Sequence, residues 1–244
     1  MANIKKLTLD RILHTQGFGT RKACRELIRS GCVAVEGEVV EDCELSWHTE
    51  GLKFSVDGEA WLFREHLYLA LNKPPDFECS RKPSHHPGVL TLFPPQFDLR
   101  NVQPVGRLDH DTTGLLLLSD DGSFIHAQSS PKRHVPKLYL ARTHAPVTDA
   151  LIGQLLGGVQ LNDEPAPLAA VSCVRVGEHA IEIVLEQGKY HQVKRMLAAA
   201  GNNCEALTRT AIGGLTLESL ALEPGEWCYL DTKQLGQLKP SVDR

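Results

Sequence analysis

Apolar and polar positions in the first part of the chain alternate between helical and strand periods. LDRILHTQG predicts a short helix, and Thr20 is placed to cap a second helix, RKACRELIRSG. VAVEGEVV then predicts two short strands around a Glu36-Gly37 turn, and LKFSVDGEAWLF repeats that pattern around Asp57-Gly58. Together these elements predict a small helix-helix-hairpin domain over residues 1–60.

Longer apolar strands follow, mixed with helices. HLYLALNKP predicts a strand stopped by Pro74, and residues 75–104 predict a loop with short turns because proline and polar residues dominate there. Four further segments have strand patterns and two have helical spacing: GLLLLS, KLYLART, AIEIVLEQG and GGLTLESL against DALIGQLLGG and QVKRMLAAAG. Since no strict βαβ rhythm is present, we predict an α+β fold with a second domain over residues 61–244.

Composition narrows the class of protein. The chain has 244 residues, 42% of them hydrophobic, and no apolar run long enough for a transmembrane helix. Its N-terminus lacks the apolar core of a signal peptide, and its seven widely spaced cysteines include no CxxC pair. We therefore expect a cytoplasmic protein with reduced thiols and no membrane partner.

Neither a metal nor a nucleotide cofactor is indicated by the residue spacings. The eleven histidines form no HxxxH or HxH pair with a carboxylate partner, so we expect no metal site. The chain also lacks the GxGxxG and GxxxxGK patterns of nucleotide-binding loops.

Charge is distributed unevenly along the chain. The net charge is −4, yet residues 5–29 carry seven basic and two acidic side chains, whereas residues 36–59 carry eight acidic and one basic. On the second predicted helix, four basic residues lie largely opposite the apolar side: Arg21, Lys22, Arg25 and Arg29. This face is either simply solvated or a surface that binds phosphate groups.

Three segments contain candidate reactive residues. In GRLDHDTTG, Asp109 is either a turn-capping residue or a reactive carboxylate, and Arg107 either pairs with it or reaches a phosphate. In KLYLA, Lys137 and Tyr139 share one face of a strand, where a tyrosine is either core or a base-stacking ring. EQGKYHQVKRML places four basic residues near a helix start, where an anionic partner is expected: Lys189, His191, Lys194 and Arg195.

These segments resemble a known family. GRLDHDTTGLLLLSDDG, KLYLA and EQGKYHQVKRMLAAAGN, in this order, closely resemble the three motifs of the RsuA-type pseudouridine synthases. TRKACRELIRSGCVAVEGEVV resembles the small RNA-binding domain first named for ribosomal protein S-four, and LALNKPPDFECSRKPSHHPGVLTLF resembles the opening of the RsuA-type catalytic domain. The resemblance spans nearly the whole chain and implies a mixed, largely antiparallel sheet with flanking helices.

The resemblance implies a reaction and roles for individual residues. These enzymes convert a uridine within RNA to its C-glycoside isomer, and an isomerisation needs no cofactor. Asp109 matches the reactive aspartate, which acts as a nucleophile or as a base; Lys189 matches its basic partner, and Tyr139 the ring that stacks on uracil. Asp111 is then structural, capping the turn. RNA contacts are expected from the remaining basic residues: Arg107, Arg21, Lys22, Arg25, Arg29, Lys137, Lys194 and Arg195.

The resemblance is strongest to members that act on small-subunit ribosomal RNA. It implies the uridine conventionally numbered 516 in 16S rRNA as the target, in naked RNA or in an assembling small subunit, and a monomeric enzyme. Three alternatives stay open: a 23S rRNA target, a non-catalytic RNA-binding or ribosome-assembly factor, and a glycoside hydrolase that pairs Asp109 with Asp111.

Overall fold

The computed structural model describes residues 5–130 and 133–238. Its contacts divide the chain into two compact units. The first unit runs to Leu67 and also contains Leu90–Val102, and the second comprises Tyr68–Val89 and the chain from Gln103 onward. The boundary predicted between residues 60 and 61 falls within a strand of the first unit, Glu59–Leu62, and the domain ranges stay a prediction.

The first unit contains two helices, a strand pair and a four-stranded sheet. The elements are β1 (Lys6–Thr8), α1 (Leu9–Thr15), α2 (Arg21–Arg29), β2 (Val33–Val35), β3 (Glu38–Val39), β4 (Ser46–His48), β5 (Lys53–Val56) and β6 (Glu59–Leu62). Strand β1 pairs with β4, and the sheet has the order β3-β2-β5-β6. Both predicted hairpins are present, with positive φ at each turn residue: Glu36, Gly37, Asp57 and Gly58.

Thr20 caps α2 as predicted, since its hydroxyl accepts a hydrogen bond from the backbone N–H of Ala23. The segment Leu90–Val102 packs on this unit and contains the short helix α3 (Pro95–Leu99). Gly17, at φ +87°, lies against it, because a Cβ there would come within 2.2 Å of the carbonyl oxygen of Gln96.

The second unit is built on a nine-stranded sheet. Its strands are β7 (Tyr68–Lys73), β8 (Gln103–Pro104), β9 (Thr113–Ser119), β10 (Lys137–Thr143), β11 (Ser172–Gly177), β12 (Ala180–Leu185), β13 (Cys204–Ile212), β14 (Leu215–Thr216) and β15 (Trp227–Tyr229). The main strand order is β11-β12-β10-β13-β9-β7-β15, with β14 beside β13 and β8 beside β9. Its helices are α4 (Gly122–Ser129), α5 (Asp149–Gly157), α6 (Gln192–Ala199), α7 (Leu217–Leu220) and α8 (Thr232–Gln237), and a 3-10 turn spans Val89–Leu92.

Strands β9 and β13 run parallel, whereas the other described strand pairs of this sheet are antiparallel. At their contact a Cβ on Gly114 would lie 2.3 Å from the carbonyl oxygen of Arg209, so only glycine allows this approach. The leucine run Leu115–Leu118 in β9 is fully buried. The mixed, largely antiparallel sheet and the α+β class are confirmed.

One predicted strand is partly a helix in the structure. GGLTLESL was expected to be a strand, but only Leu215 and Thr216 pair with β13. Helix α7 starts directly afterwards, because the Thr216 hydroxyl accepts a hydrogen bond from the N–H of Ser219. Among the described residues, no helix has both the length and the apolar character needed to cross a membrane.

Candidate active site

The loop that precedes β9 carries Asp109 and is fixed from beneath by a buried lysine. Lys73 ends β7, has no exposed surface, and donates from Nζ to the carbonyl oxygens of Pro74, His110 and Thr112 at 3.0, 2.9 and 2.9 Å. Burial lowers the pKa of Lys73 from its ordinary value. Its three hydrogen bonds offset the burial and fix the backbone that follows Asp109.

Both carboxylate oxygens of Asp109 have cationic or imidazole partners from the start of α6. His191 Nε2 lies 3.1 Å from Oδ1, and Lys194 Nζ lies 3.2 Å from Oδ2. Lys194 Nζ also contacts Asp111 Oδ1 at 2.6 Å. Burial lowers the pKa of Lys194, but its bonds to Asp111 and Asp109 outweigh this effect and raise it. With 26% of its side chain exposed, Asp109 is held in place and still open to a substrate.

The expected pairing of Lys189 with Asp109 is not found. Lys189 Nζ lies 2.9 Å from Glu164 Oε2, a carboxylate whose side chain is only 9% exposed. The backbone N–H of Lys189 donates to the side chain of Gln192, and His191 adopts φ 45° directly before α6. This tight turn directs the side chains of His191 and Lys194 to Asp109 and leaves Lys189 beside Glu164.

A cavity next to Asp109 has a wall of mixed apolar and charged side chains. Tyr139, in the centre of β10, lines it and is 9% exposed. Four aliphatic side chains form much of the remaining wall: Leu108, Leu185, Val193 and Leu207. Arg107 and Lys189 also line the cavity. The structure therefore brings together Asp109, Tyr139, Lys189 and Arg107, as the sequence predicted, although their individual roles stay predictions.

The predicted RNA contacts in this unit have different surroundings. Arg107 is exposed and has no ion-pair partner among the described residues. Arg195 pairs with Asp163 and donates to the carbonyl oxygen of Tyr190, so its charge is already engaged. Lys137 donates to the carbonyl of Val135, and burial together with the nearby guanidinium of Arg209 lowers its pKa to about 8.

The basic residues of α2 also differ from one another. Arg21 and Arg25 both bind the fully buried carboxylate of Asp10, at 2.7 and 2.9 Å. Burial alone would raise the pKa of Asp10, but hydrogen bonds, two of them from these arginines, hold it well below its ordinary value. Lys22 and Arg29 are exposed and make no ion pair within the described chain, so their charges are the less engaged ones on this helix.

Two residues at this site had no specific role in the sequence-based prediction. His191 was noted as one of the basic residues near a helix start, but only the turn before α6 brings its ring to Asp109. Arg209 is 2% exposed, pairs across strands with Tyr139, and donates from Nε to the carbonyl of Leu115 at 2.7 Å. Its strand, β13, was not predicted, so no signal pointed to it.

Comparison with known proteins agrees with this geometry. Residues 67–199 match the family model described as RNA pseudouridylate synthase, and residues 7–42 match the S4 domain. A solved structure titled as that of a pseudouridylate synthase superposes with a TM-score of 0.67 at 32% identity, covering 95% of this chain and 99% of that one.

Two relatives match along nearly their full length. Ribosomal small subunit pseudouridine synthase A of Escherichia coli K12 is 35% identical over 239 residues, which cover 95% of this chain and all of the relative. An uncharacterized RNA pseudouridine synthase of Bacillus subtilis, YtzG, is 34% identical over 233 residues, 94% of this chain and 97% of that protein. The family model alone spans more than half of the chain, and with these matches it shows that the chain is a member of the RNA pseudouridine synthase family.

Proposed function

We propose that this pseudouridine synthase modifies one uridine of 16S ribosomal RNA, the one conventionally numbered 516, and that it acts as a cytoplasmic monomer. The main support is the geometry at Asp109: His191 and Lys194 contact its two carboxylate oxygens, and it lines the same cavity as Tyr139. The similarity to small-subunit synthase A of Escherichia coli supports the choice of RNA.

In this proposal Asp109 is the reactive carboxylate, whether it attacks sugar or base or removes a proton. Lys194 and His191 keep its position and its negative charge where the uridine arrives. The ring of Tyr139 stacks on the uracil, which contributes on the order of 1–3 kcal/mol toward the cost of flipping the base out of its helix. The glycosidic bond then breaks, the uracil turns over, and its carbon 5 joins the ribose.

Binding of the RNA backbone rests on the basic residues that remain free. Lys22 and Arg29 in the S4 domain and Arg107 at the cavity offer unpaired charges to phosphate groups. Arg21, Arg25 and Lys137 are proposed as weaker contributors because each already has a partner within the protein.

A pseudouridine map of ribosomal RNA from cells that lack the protein tests this function. Carbodiimide labelling and primer extension should reveal the loss of one small-subunit mark, restored by the wild type but not by Asp109→Asn. Asp111→Asn is the matched control, since Asp111 also contacts Lys194, and it should restore the mark. Loss of a 23S mark instead would move the target to the large subunit, and an unchanged map would refute ribosomal RNA as the substrate.

A further inference from the structure

Three potential metal ligands lie close together near Asp109, and two of them, His86 and His110, line a cavity that Asp109 also lines. Asp76 follows β7, His86 lies in the loop before the 3-10 turn, and His110 directly follows Asp109. One ligand atom from each lies within 4.8 Å of the other two. Asp76 and His86 come from one loop and His110 from another, so the cluster depends on how the two loops fold together.

The cluster is held together by its backbone. The N–H of Asp76 donates to the carbonyl of His110 at 2.8 Å, so these two positions are linked directly. The carboxylate of Glu78 accepts three backbone N–H groups, those of Ser84, His85 and His86, at 2.8–3.0 Å. These three bonds fix the backbone of the histidine loop.

The ligand atoms lie near one another, but the two rings are not yet oriented toward one ion. The rings of His86 and His110 are stacked, with centroids 4.4 Å apart and planes within 13° of each other, so their nitrogen lone pairs lie in nearly parallel planes. His110 Nδ1 lies 3.8 Å from Asp76 Oδ1, whereas ligand atoms of a tetrahedral zinc site are roughly 3.3 Å apart, given metal–ligand bonds of about 2 Å. Binding of one ion therefore requires the His110 ring to rotate out of the stack, and Asp76 and His110 are exposed, which leaves their side chains room to move.

The donor set selects a class of ion. Two imidazoles and one carboxylate suit Zn²⁺, Co²⁺ or Ni²⁺, whereas Mg²⁺ and Ca²⁺ prefer oxygen ligands alone. Cys79 lines the same cavity but is not part of the cluster. Its sulfur accepts a hydrogen bond from the N–H of Leu108, and burial raises the pKa of its thiol, which disfavours the thiolate that a metal requires.

We propose that Asp76, His86 and His110 form a binding site for one divalent transition-metal ion of the Zn²⁺ type. Three protein ligands leave a fourth coordination position free. The cavity of about 720 Å³ onto which His86 and His110 open is also lined by Asp109 and His191, so this position faces the place where RNA is modified. A bound ion would place a double positive charge at His110, the residue directly after Asp109.

Metal titration of the full-length, metal-stripped protein with its thiols kept reduced tests the proposal. Calorimetry with ZnCl₂ and visible absorption with CoCl₂ should both give one ion per chain, with no thiolate charge-transfer band. His86→Ala and His110→Ala should each weaken binding by at least about tenfold, and Asp76→Asn should weaken it severalfold. MgCl₂ should give no saturable signal.

Two controls separate this site from other ligands. His85→Ala removes the neighbouring histidine of the same loop, which is outside the cluster, and should leave binding unchanged. Cys79→Ser should also bind as the wild type does. Unchanged binding in both His86→Ala and His110→Ala, loss of binding only in Cys79→Ser, or no saturable Zn²⁺ binding by the wild type would each overturn the proposal. Circular dichroism of each variant confirms that the exposed substitutions leave the fold intact.

Discussion

The sequence resemblance and the structure assign different lysines, Lys189 and Lys194, as the partner of Asp109. Sequence resemblance pairs Lys189 with Asp109, whereas the structure places Lys194 Nζ 3.2 Å from Asp109 Oδ2 and Lys189 2.9 Å from Glu164. Replacing each lysine by methionine keeps most of the length of the side chain and removes the ammonium group with its charge and its hydrogen-bond donors. We expect Lys194→Met to slow the chemical step strongly and Lys189→Met to leave it nearly unchanged.

The magnitude follows from the distance and the exposure. Two unit charges 3.2 Å apart attract by about 5 kcal/mol at an effective dielectric constant near 20. Lys194 and Asp109 are 24% and 26% exposed, and Asp111 shares the ammonium, so solvent and the second carboxylate reduce the usable part to about 2–3 kcal/mol. This corresponds to a decrease of about 30- to 150-fold in the single-turnover rate. For Lys189→Met, less than about fivefold is expected, because the Lys189 side chain is 45% exposed and its ammonium contacts Glu164 and not Asp109.

The assay follows tritium released from carbon 5 of uridine in an RNA transcript, with enzyme in excess. Saturating RNA separates a slower chemical step from weaker binding, which a lost phosphate contact would cause. Lys194→Arg keeps the charge and should recover part of the rate. A large loss in Lys189→Met together with a near-normal rate in Lys194→Met would refute the assignment of Lys194 as the partner of Asp109.

Three further predictions concern charge elsewhere in the chain. Lys137 has a pKa of about 8 in the folded protein and about 10.5 in the unfolded chain, so the free energy of unfolding rises with pH between these values. Lys137→Met should therefore stabilise the protein by up to about 3 kcal/mol at pH 7. Thermal melts in which this gain does not shrink by pH 9.5 would contradict the reasoning. Asp10→Asn should lower the stability by about 2–3 kcal/mol at neutral pH, because the folded pKa of Asp10 is depressed, and the difference from wild type should narrow below about pH 4; melts with a pH-independent difference would argue against the ion pairs. Removal of both Lys22 and Arg29 should weaken RNA binding and lower its salt slope by about 2, and an unchanged slope in filter binding would exclude them as phosphate ligands.

Local signals predicted those elements whose structure is set by nearby residues. The Asp57-Gly58 turn and the Thr20 cap act within a few positions, and both appear as expected. Strand β13 was missed because its sequence, CEALTRTAI, mixes charged and small residues in a strand at the centre of the sheet. Arg209 is tolerated there because its Nε donates to the carbonyl of Leu115 in β9, a partner distant in sequence.

The sequence predicted which residues gather at the site better than it predicted which of them form ion pairs with one another. Motif order was enough to bring Asp109 and Tyr139 to one cavity. Which lysine meets Asp109 depends on the turn at His191, whose positive φ does not follow from residue type. The ion pairs that engage Arg195 and Lys189 depend on Asp163 and Glu164, which lie in a segment for which no function was predicted.

The bonds from Lys73 to three carbonyl groups bear on which molecule must move during recognition. They tie the backbone just beyond Asp109 to the end of β7, so Asp109, as the proposed reactive residue, has little freedom to approach a poorly placed uridine. The rearrangement then falls on the RNA, at a cost of a few kcal/mol for unstacking and unpairing. We expect uridines in helices that open readily, or in RNA that has not finished folding, to be modified fastest. The time at which the mark is made would then be set by the maturation of the RNA and not by a motion of the enzyme.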